Sequence, residues 1–243
     1  MINRLDWDSA CFGYEVGEVT VGDFLDWQQF IEESGAYQLV YIFSKKKLDS
    51  LPLGINKVDE KMTLVTNLRS FRETIYNKEN ALAEQVFRFG FFKNGVFDTL
   101  GQNLEKEFLE LALASGEYSR FRNDDKFIKG EYKKLYRSWA GRSLSGDDDG
   151  FVFLHENKIS GLITLSSNGS GSFKVGLLSV LKDCREQGVG SLLIDLVCGM
   201  AREKAGQEVL VTTQKANKQA LKFYLNRGFT ILDEQNVYHW WKG

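Results

Sequence analysis

The sequence is almost without proline. Pro52 is the only one in 243 residues, so chain reversals fall to glycine and polar turns. Cysteine is scarce as well. Cys11, Cys184 and Cys198 are odd in number and share no metal-ligand spacing, which fits neither a disulfide framework nor a zinc motif and points to a reducing compartment. Histidine occurs only at His155 and His239. No run reaches the roughly 18 consecutive apolar residues of a spanning helix, so no membrane partner is expected. There is no excess of positive charge: the net charge is −2, which leaves no footprint for nucleic acid or an anionic membrane surface. The opening MINRLDWDSACFGYEVG has no uninterrupted apolar core of a signal peptide, and a cytoplasmic protein is expected. What remains is ordinary globular composition, 43% hydrophobic and 26% charged, with length for one large domain or two small ones.

The most informative stretch covers residues 173–205. SFKVGLLSVL reads as a strand, Arg185-Glu186-Gln187-Gly188-Val189-Gly190 as a tight turn, and SLLIDLVCGMAREKA as a helix. Val189, Leu192, Leu193, Leu196, Val197 and Met200 form an apolar stripe that must lie on a sheet. A strand that passes through glycines directly into a helix presents several free N–H groups and a helix dipole at one point, which favours an anion there.

Around this stretch the pattern is mixed. LDWDSACFG reads as a loop and Val16, Val19 and Val21 mark a strand. Asp23 is placed to cap a helix running to Glu33, and residues 37–43 form a short buried strand. Two short strands are predicted at 54–57 and 62–66, another at 69–74, and a weak helical period at 80–89. Phe87, Phe89, Phe91, Phe92 and Phe97 cluster as core filling. Helices are predicted over 102–114 and 130–144, with a polar loop at 116–127 between them. Asp147-Asp148-Asp149 sit on a solvated turn, since consecutive residues of a turn rarely converge on a metal. A hairpin over 151–167 and a turn at 168–171 lead into the central strand. Residues 208–214 form a strand, a helix begins at Asn217, and Gly228-Phe229 ends it. Residues 229–235 and 236–241 read as two final strands.

The Gly188-x-Gly190 turn is not a P-loop, because no Lys-Ser/Thr follows, and not a dinucleotide fingerprint, because position 193 is Leu and no acid ends the next strand. Its context is specific: an antiparallel meander before it, a long amphipathic helix after it, then a strand and a short helix carrying Asn217, Phe223 and Tyr224 before Gly228-Phe229. This resembles the GNAT superfamily of acyl-CoA N-acyltransferases. Arg185, Gly188 and Gly190 match its Q/R-x-x-G-x-G/A motif, over about residues 111–243. LDWDSACFG and SGEYSRFRNDDKF are similar to the group containing the TDP-fucosamine acetyltransferases, which carries an extra N-terminal segment.

The resemblance implies an α+β fold with a mixed sheet, a GNAT domain over 111–243 and an N-terminal β-α-β-like segment over 1–110 that helps to form the acceptor site. It implies a cytoplasmic transferase that moves acetyl from acetyl-CoA to a primary amine, with a nucleotide-linked deoxyamino sugar as leading acceptor and no metal. An N-terminal peptide acetyltransferase and a non-catalytic acyl-CoA-binding module remain alternatives, and a homodimer stays open. Arg185, Gln187, Gly188, Val189 and Gly190 would hold the pyrophosphate, and Leu178, Ser179 and Val180 the pantetheine arm. Tyr224 would be the general acid, and also a contact to the cofactor. Asn217 would bind the arm or simply cap its helix. Trp7, Asp8, Phe12 and Arg120 would bind the acceptor, Arg120 by pairing a diphosphate; equally, they would lock the N-terminal segment in place. No base stands out, since both histidines read as structural.

Overall fold

The computed structural model describes residues 1–22, 26–73, 85–88 and 104–243. The chain opens with β1 (Asn3–Arg4), α1 (Asp6–Phe12), β2 (Val16–Val21), α2 (Trp27–Ser34), β3 (Leu39–Ser44) and the long β4 (Ile55–Asn67). After β5 (Val86–Arg88) come the helices α3 (Leu104–Ser115), α4 (Arg120–Asn123) and α5 (Glu131–Ser145). The meander β6 (Asp149–His155), β7 (Lys158–Ser167) and β8 (Ser172–Val180) precedes α6 (Val189–Glu203), β9 (Glu208–Gln214), α7 (Lys218–Asn226) and β10 (Thr230–Trp241).

The described strands form one mixed sheet in the order β1-β2-β3-β10-β4-β9-β8-β7-β6-β5. The expected α+β class holds. β4, from the N-terminal part of the chain, is threaded between β9 and β10, antiparallel to both. Residues 1–110 and 111–243 therefore share a single sheet. Strand alternation assigns the two faces. Tyr41, Phe43, Val237 and Trp241 point to the face covered by α1, α3, α4 and α5, where Phe108, Leu111, Leu135 and Tyr136 are buried. α6 and α7 cover the other face over Met62, Leu64, Ile163 and Val211. α2 caps a third cluster with Val40, Ile42 and Trp240. Each fully buried side chain of this kind is worth about 1.5–3 kcal/mol.

Several local expectations change. LDWDSACFG is mostly helix, with Gly13 in the left-handed conformation closing α1 by donating to Ser9 O. The cap of α2 is Asp26, whose Oδ1 accepts from Gln28 N at 2.9 Å and Gln29 N at 3.2 Å; Asp23 and Phe24 lie outside the described residues. The strands expected at 54–57 and 62–66 are one strand, because the polar residues between them pair with β10. The two final strands are also one, kinked by register shifts after Ile231 and Val237 that absorb the break in alternation. Residues 69–73 form no strand. The helical period expected over 80–89 is overturned at Val86–Arg88, which form β5; residue 74, residues 80–84 and the phenylalanines Phe89, Phe91, Phe92 and Phe97 lie outside the described residues.

Gly116, just after α3, decides how α5 approaches. A Cβ there would lie 2.3 Å from Tyr136 Cζ and 2.5 Å from its hydroxyl. Tyr136 is buried, so its ring must shift from its packed position to make room. Gly116→Ala is expected to destabilise the protein by about 1–3 kcal/mol through overpacking, read as a lower midpoint in urea with an unchanged slope.

Candidate active site

β8 and β9 run parallel and in register only from Ser172↔Glu208 to Val175↔Val211. Beyond Val175 they part. β9 stays on β4, down to Gln214↔Lys61, while β8 stays on β7, up to Val180↔Gly161. The bulge that steers β8 away is built at Thr164, whose Oγ1 accepts from Leu177 N at 2.8 Å. Leu181 N donates to Ser160 O on the β7 side, so by strand alternation the N–H groups of Leu178 and Val180 face the gap. Ser179 is buried opposite Leu162.

The gap holds a cavity of about 100 Å³ lined by Gly176, Leu178, Thr212, Gln214, Asn217 and Tyr224. Tyr224 is 5% exposed. Burial alone pushes its phenol well above the ordinary tyrosine range, so it stays protonated. Among the described residues no protein group bonds its hydroxyl. Asn217 caps α7, its Oδ1 accepting from Ala220 N at 3.0 Å, and also lines the cavity. The capping alternative is thus present in the geometry, without excluding the other.

At the end of β8 the chain makes a 3₁₀ turn over Lys182–Cys184 and enters α6 through Gly188. Gly188 has φ +88°, which a side-chain-bearing residue adopts only with strain. Arg185 Nε donates to Val180 O at 2.9 Å and Gln187 Nε2 to Asp183 O at 2.7 Å. Both side chains brace the turn. Val189 is buried, and Gly190 lies against Phe223 of α7. The first turn of α6 has backbone N–H groups without an intrahelical acceptor, as at any helix N-terminus, and such a terminus favours an anion.

A second cavity of about 540 Å³ lies on the α5 face. It shares Tyr136, Val175, Gly176, Leu177, Thr212 and Gln214 with the small one, so the two adjoin. Trp7, Asp8 and Arg120 line it; Phe12 does not. Phe12 is 3% exposed and packs on Tyr14, Phe121 and Phe127, in the core beneath the site. The Arg120 guanidinium lies 4.4 Å from the Phe121 ring centre, 4.7 Å from Tyr41 and 5.6 Å from Phe43. Its Nε is buried with no hydrogen-bond partner among the described residues. Tyr41 donates to Asp8 Oδ1 at 3.2 Å. Burial raises the Asp8 carboxyl, against the Tyr41 hydrogen bond and the Arg120 charge.

Three wall residues escaped the sequence reading. Asp59 and Lys61 sit at alternate positions on β4 and both face the cavity. Burial raises Asp59 to about 6, although Arg120 opposes the shift. Burial lowers Lys61, helped by Lys174 and Arg120. Tyr136 lies on the helix predicted over 130–144, and nothing local in that helix marks it as a wall residue. Asp59 and Lys61 fall between the strands expected at 54–57 and 62–66, where a register shift opposite Val237 and Tyr238 breaks the alternation.

The histidines lie elsewhere. His239 is fully buried, stacked near Tyr41 and Phe127. Its Nδ1 is 2.6 Å from Asp124 Oδ2, which also accepts from Trp241 Nε1 at 2.9 Å. Burial lowers His239 to about 4, outweighing Asp124. His155 is exposed at the end of β6. Of the acidic turn, Asp148 faces Arg142 at 3.6 Å, and Asp149 pairs with Lys204.

Comparison with known proteins bears on the fold that carries this site. The acetyltransferase (GNAT) family model matches residues 112–229. Among curated proteins, streptothricin acetyltransferase A of Bacillus subtilis (strain 168) is 32% identical over 81 residues, 33% of this chain and 47% of that protein. The chain thus spans about half the length of the curated relative it matches. Among solved structures, a functionally unknown conserved protein from Staphylococcus epidermidis superposes with a TM-score of 0.62 at 13% identity, over 94% of this chain and 84% of that one. A GCN5-related N-acetyltransferase from Kribbella flavida gives 0.54 at 12% identity, over 94% and 82%. The fold is the GNAT fold.

Proposed function

We propose that this protein is an N-acetyltransferase that moves acetyl from acetyl-CoA to the primary amine of a small molecule bound in the larger cavity. The observation that carries this is the parting of β8 from β9, with Tyr224 lining the gap and α6 following the end of β8 through a glycine turn. The residues present fit the co-substrate. The α6 N-terminal amides, with Gly188 allowing close approach, would hold the pyrophosphate without a metal. Arg185, half-buried beside them, adds positive charge. The N–H groups of Leu178 and Val180 would pair with the pantetheine arm as an added strand. Leu178 and Asn217 line its path. Tyr224, held protonated by burial, donates to the departing sulfur.

The acceptor we propose is a nucleotide-linked deoxyamino sugar. Arg120, with its orphaned Nε among three aromatic rings, supports an anionic planar-recognition partner such as a diphosphate. Trp7 and Trp139 on the same wall offer stacking surface for a base or sugar. A second reading, streptothricin as the acceptor, draws on the 81-residue similarity to the Bacillus subtilis protein. Release of CoA thiol is measured with acetyl-CoA and four acceptors: a TDP-linked amino sugar, a UDP-linked amino sugar, streptothricin, and a peptide with a free amino terminus. Turnover with a nucleotide sugar supports the first reading. Tight acetyl-CoA binding with no turnover on any of them marks a binding module.

Arg120→Met is expected to raise the acceptor KM about tenfold or more, the worth of a charge-assisted hydrogen bond, and to leave the Kd of acetyl-CoA unchanged. Steady-state kinetics and calorimetric titration separate the two. An unchanged KM would reduce Arg120 to a packing residue.

A further inference from the structure

The larger cavity carries several carboxylates, but its border with the small one is built by few residues. We propose that Asp59 is the group that takes the proton the attacking amine must lose; this rests on the acyl-transfer reading above.

Strand order separates Asp59 from its competitors. β4 is the immediate neighbour of β9, whose Thr212 and Gln214 line both cavities. Lys61 stands in register with Gln214, and Lys215 N donates to Glu60 O at 2.8 Å. Asp59 lies two residues beyond that pair on β4, past the end of β9, and lines the larger cavity on the side of Gln214. Glu18 is on β2, four strands from β9, and Asp148 precedes most of β6, three strands away on the other side. Neighbouring strands are about 4.8 Å apart, so neither reaches the gap directly. Asp8 and Asp148 are also engaged, by Tyr41 and by Arg142 with Ser143. Among the described residues no side chain bonds the Asp59 carboxylate. Its negative charge also acts on the Tyr136 hydroxyl, which lines both cavities.

The groups acting on Asp59 come from three elements. Arg120 on α4 and Lys61 on its own strand favour the ionised form, Glu60 on that strand disfavours it, and Tyr136 faces it from α5. Asp8 and Lys174 stand on the same cavity wall. Burial prevails and places the carboxyl near 6, so at neutral pH it is ionised yet basic enough to accept a proton.

The step balances as follows. The ammonium group gives one proton to Asp59, which passes it to solvent. The freed lone pair forms the N–C bond to the thioester carbonyl carbon. The C–S bond then breaks with its electrons on sulfur, and sulfur takes the Tyr224 proton. The nitrogen releases its second proton to solvent and Tyr224 regains one. The products are amide, CoA thiol and one net proton.

The test measures kcat between pH 5 and 9, at saturating acetyl-CoA and saturating TDP-linked amino sugar, for wild type, Asp59→Asn and Asp59→Glu. The Kd of acetyl-CoA and the thermal melt are followed for each. The wild-type kcat is expected to fall about tenfold per pH unit below about pH 6. Asp59→Asn is expected to lose at least about tenfold in kcat at pH 7.5 and to lose that acid limb, with melt and acetyl-CoA Kd unchanged. Asp59→Glu is expected to restore part of both. An Asp59→Asn protein with wild-type kcat and acid limb overturns the assignment, as does a raised acceptor KM with unchanged kcat, which would make Asp59 a binding group. A wild-type protein that binds acetyl-CoA and acetylates no amine overturns the acyl-transfer reading and this assignment together.

Discussion

Tyr224→Phe is expected to lower kcat by about 10²–10⁴-fold and to leave acetyl-CoA affinity unchanged. The substitution removes one oxygen from a buried site and keeps the ring. Tyr224 packs against Phe223 and Phe229, with ring centres at 5.3 and 5.6 Å, and those contacts survive. Its hydroxyl holds up no other described protein group, so its loss orphans nothing and the fold is unaffected. Only the proton donor disappears. Because burial raises the phenol far above neutrality, no tyrosine titration is expected in the kcat profile up to pH 9. A departing alkyl thiolate that needs no proton would show little effect. A Tyr224→Phe enzyme with wild-type kcat, measured by thiol release at saturating substrates, would sink the general-acid role.

Arg227→Met is expected to destabilise the protein by about 3–5 kcal/mol, the cost of leaving one half of a buried ion pair behind. Arg227 pairs with Asp195, and their side chains are only 14% and 8% exposed. Asp195 belongs to α6 and Arg227 follows α7, so the pair ties the helix that follows the glycine turn to the helix that carries Tyr224. The guanidinium also lies over the Phe71 ring at 5.5 Å. Methionine replaces the aliphatic stem but leaves Asp195 in an apolar setting without its countercharge. For a chain of this size each kcal/mol moves Tm by about 2–4 °C, so the loss is easily read by calorimetry. The double variant Asp195→Leu with Arg227→Met should recover much of it, since no charge is then stranded. If the single variant melts within a degree or two of wild type, the pair is not a structural tie.

The glycine turn before α6 and the helix of Tyr224 were legible because their signals are local. Gly188, Gly190 and Arg185 lie within six residues, and a strand-glycine-helix pattern states its own geometry. The apolar stripe of α6 and the Gly228-Phe229 stop are local too. The larger cavity was not legible. Its wall draws Trp7 and Asp8 from α1, Asp59 and Lys61 from β4, and Arg120 from α4, brought together from far along the chain. Phe12 shows the limit of composition alone. It shares its helix with Trp7 and Asp8, yet points inward to Phe121 and Phe127.

By itself the sequence determined the meander, the helix stripes and the glycine turn before α6, since these follow from periodicity and backbone chemistry over a few residues, while the α+β class came from the resemblance that they carry. Only the tertiary structure decided that β4 lies between β9 and β10, that β8 parts from β9 after Val175, and that Asp59 and Arg120 share one cavity. Strand order is set by which edges pair across long loops, and no short window of sequence encodes that choice. The larger cavity is therefore a property of the sheet, whereas the glycine turn before α6 is a property of a few consecutive residues.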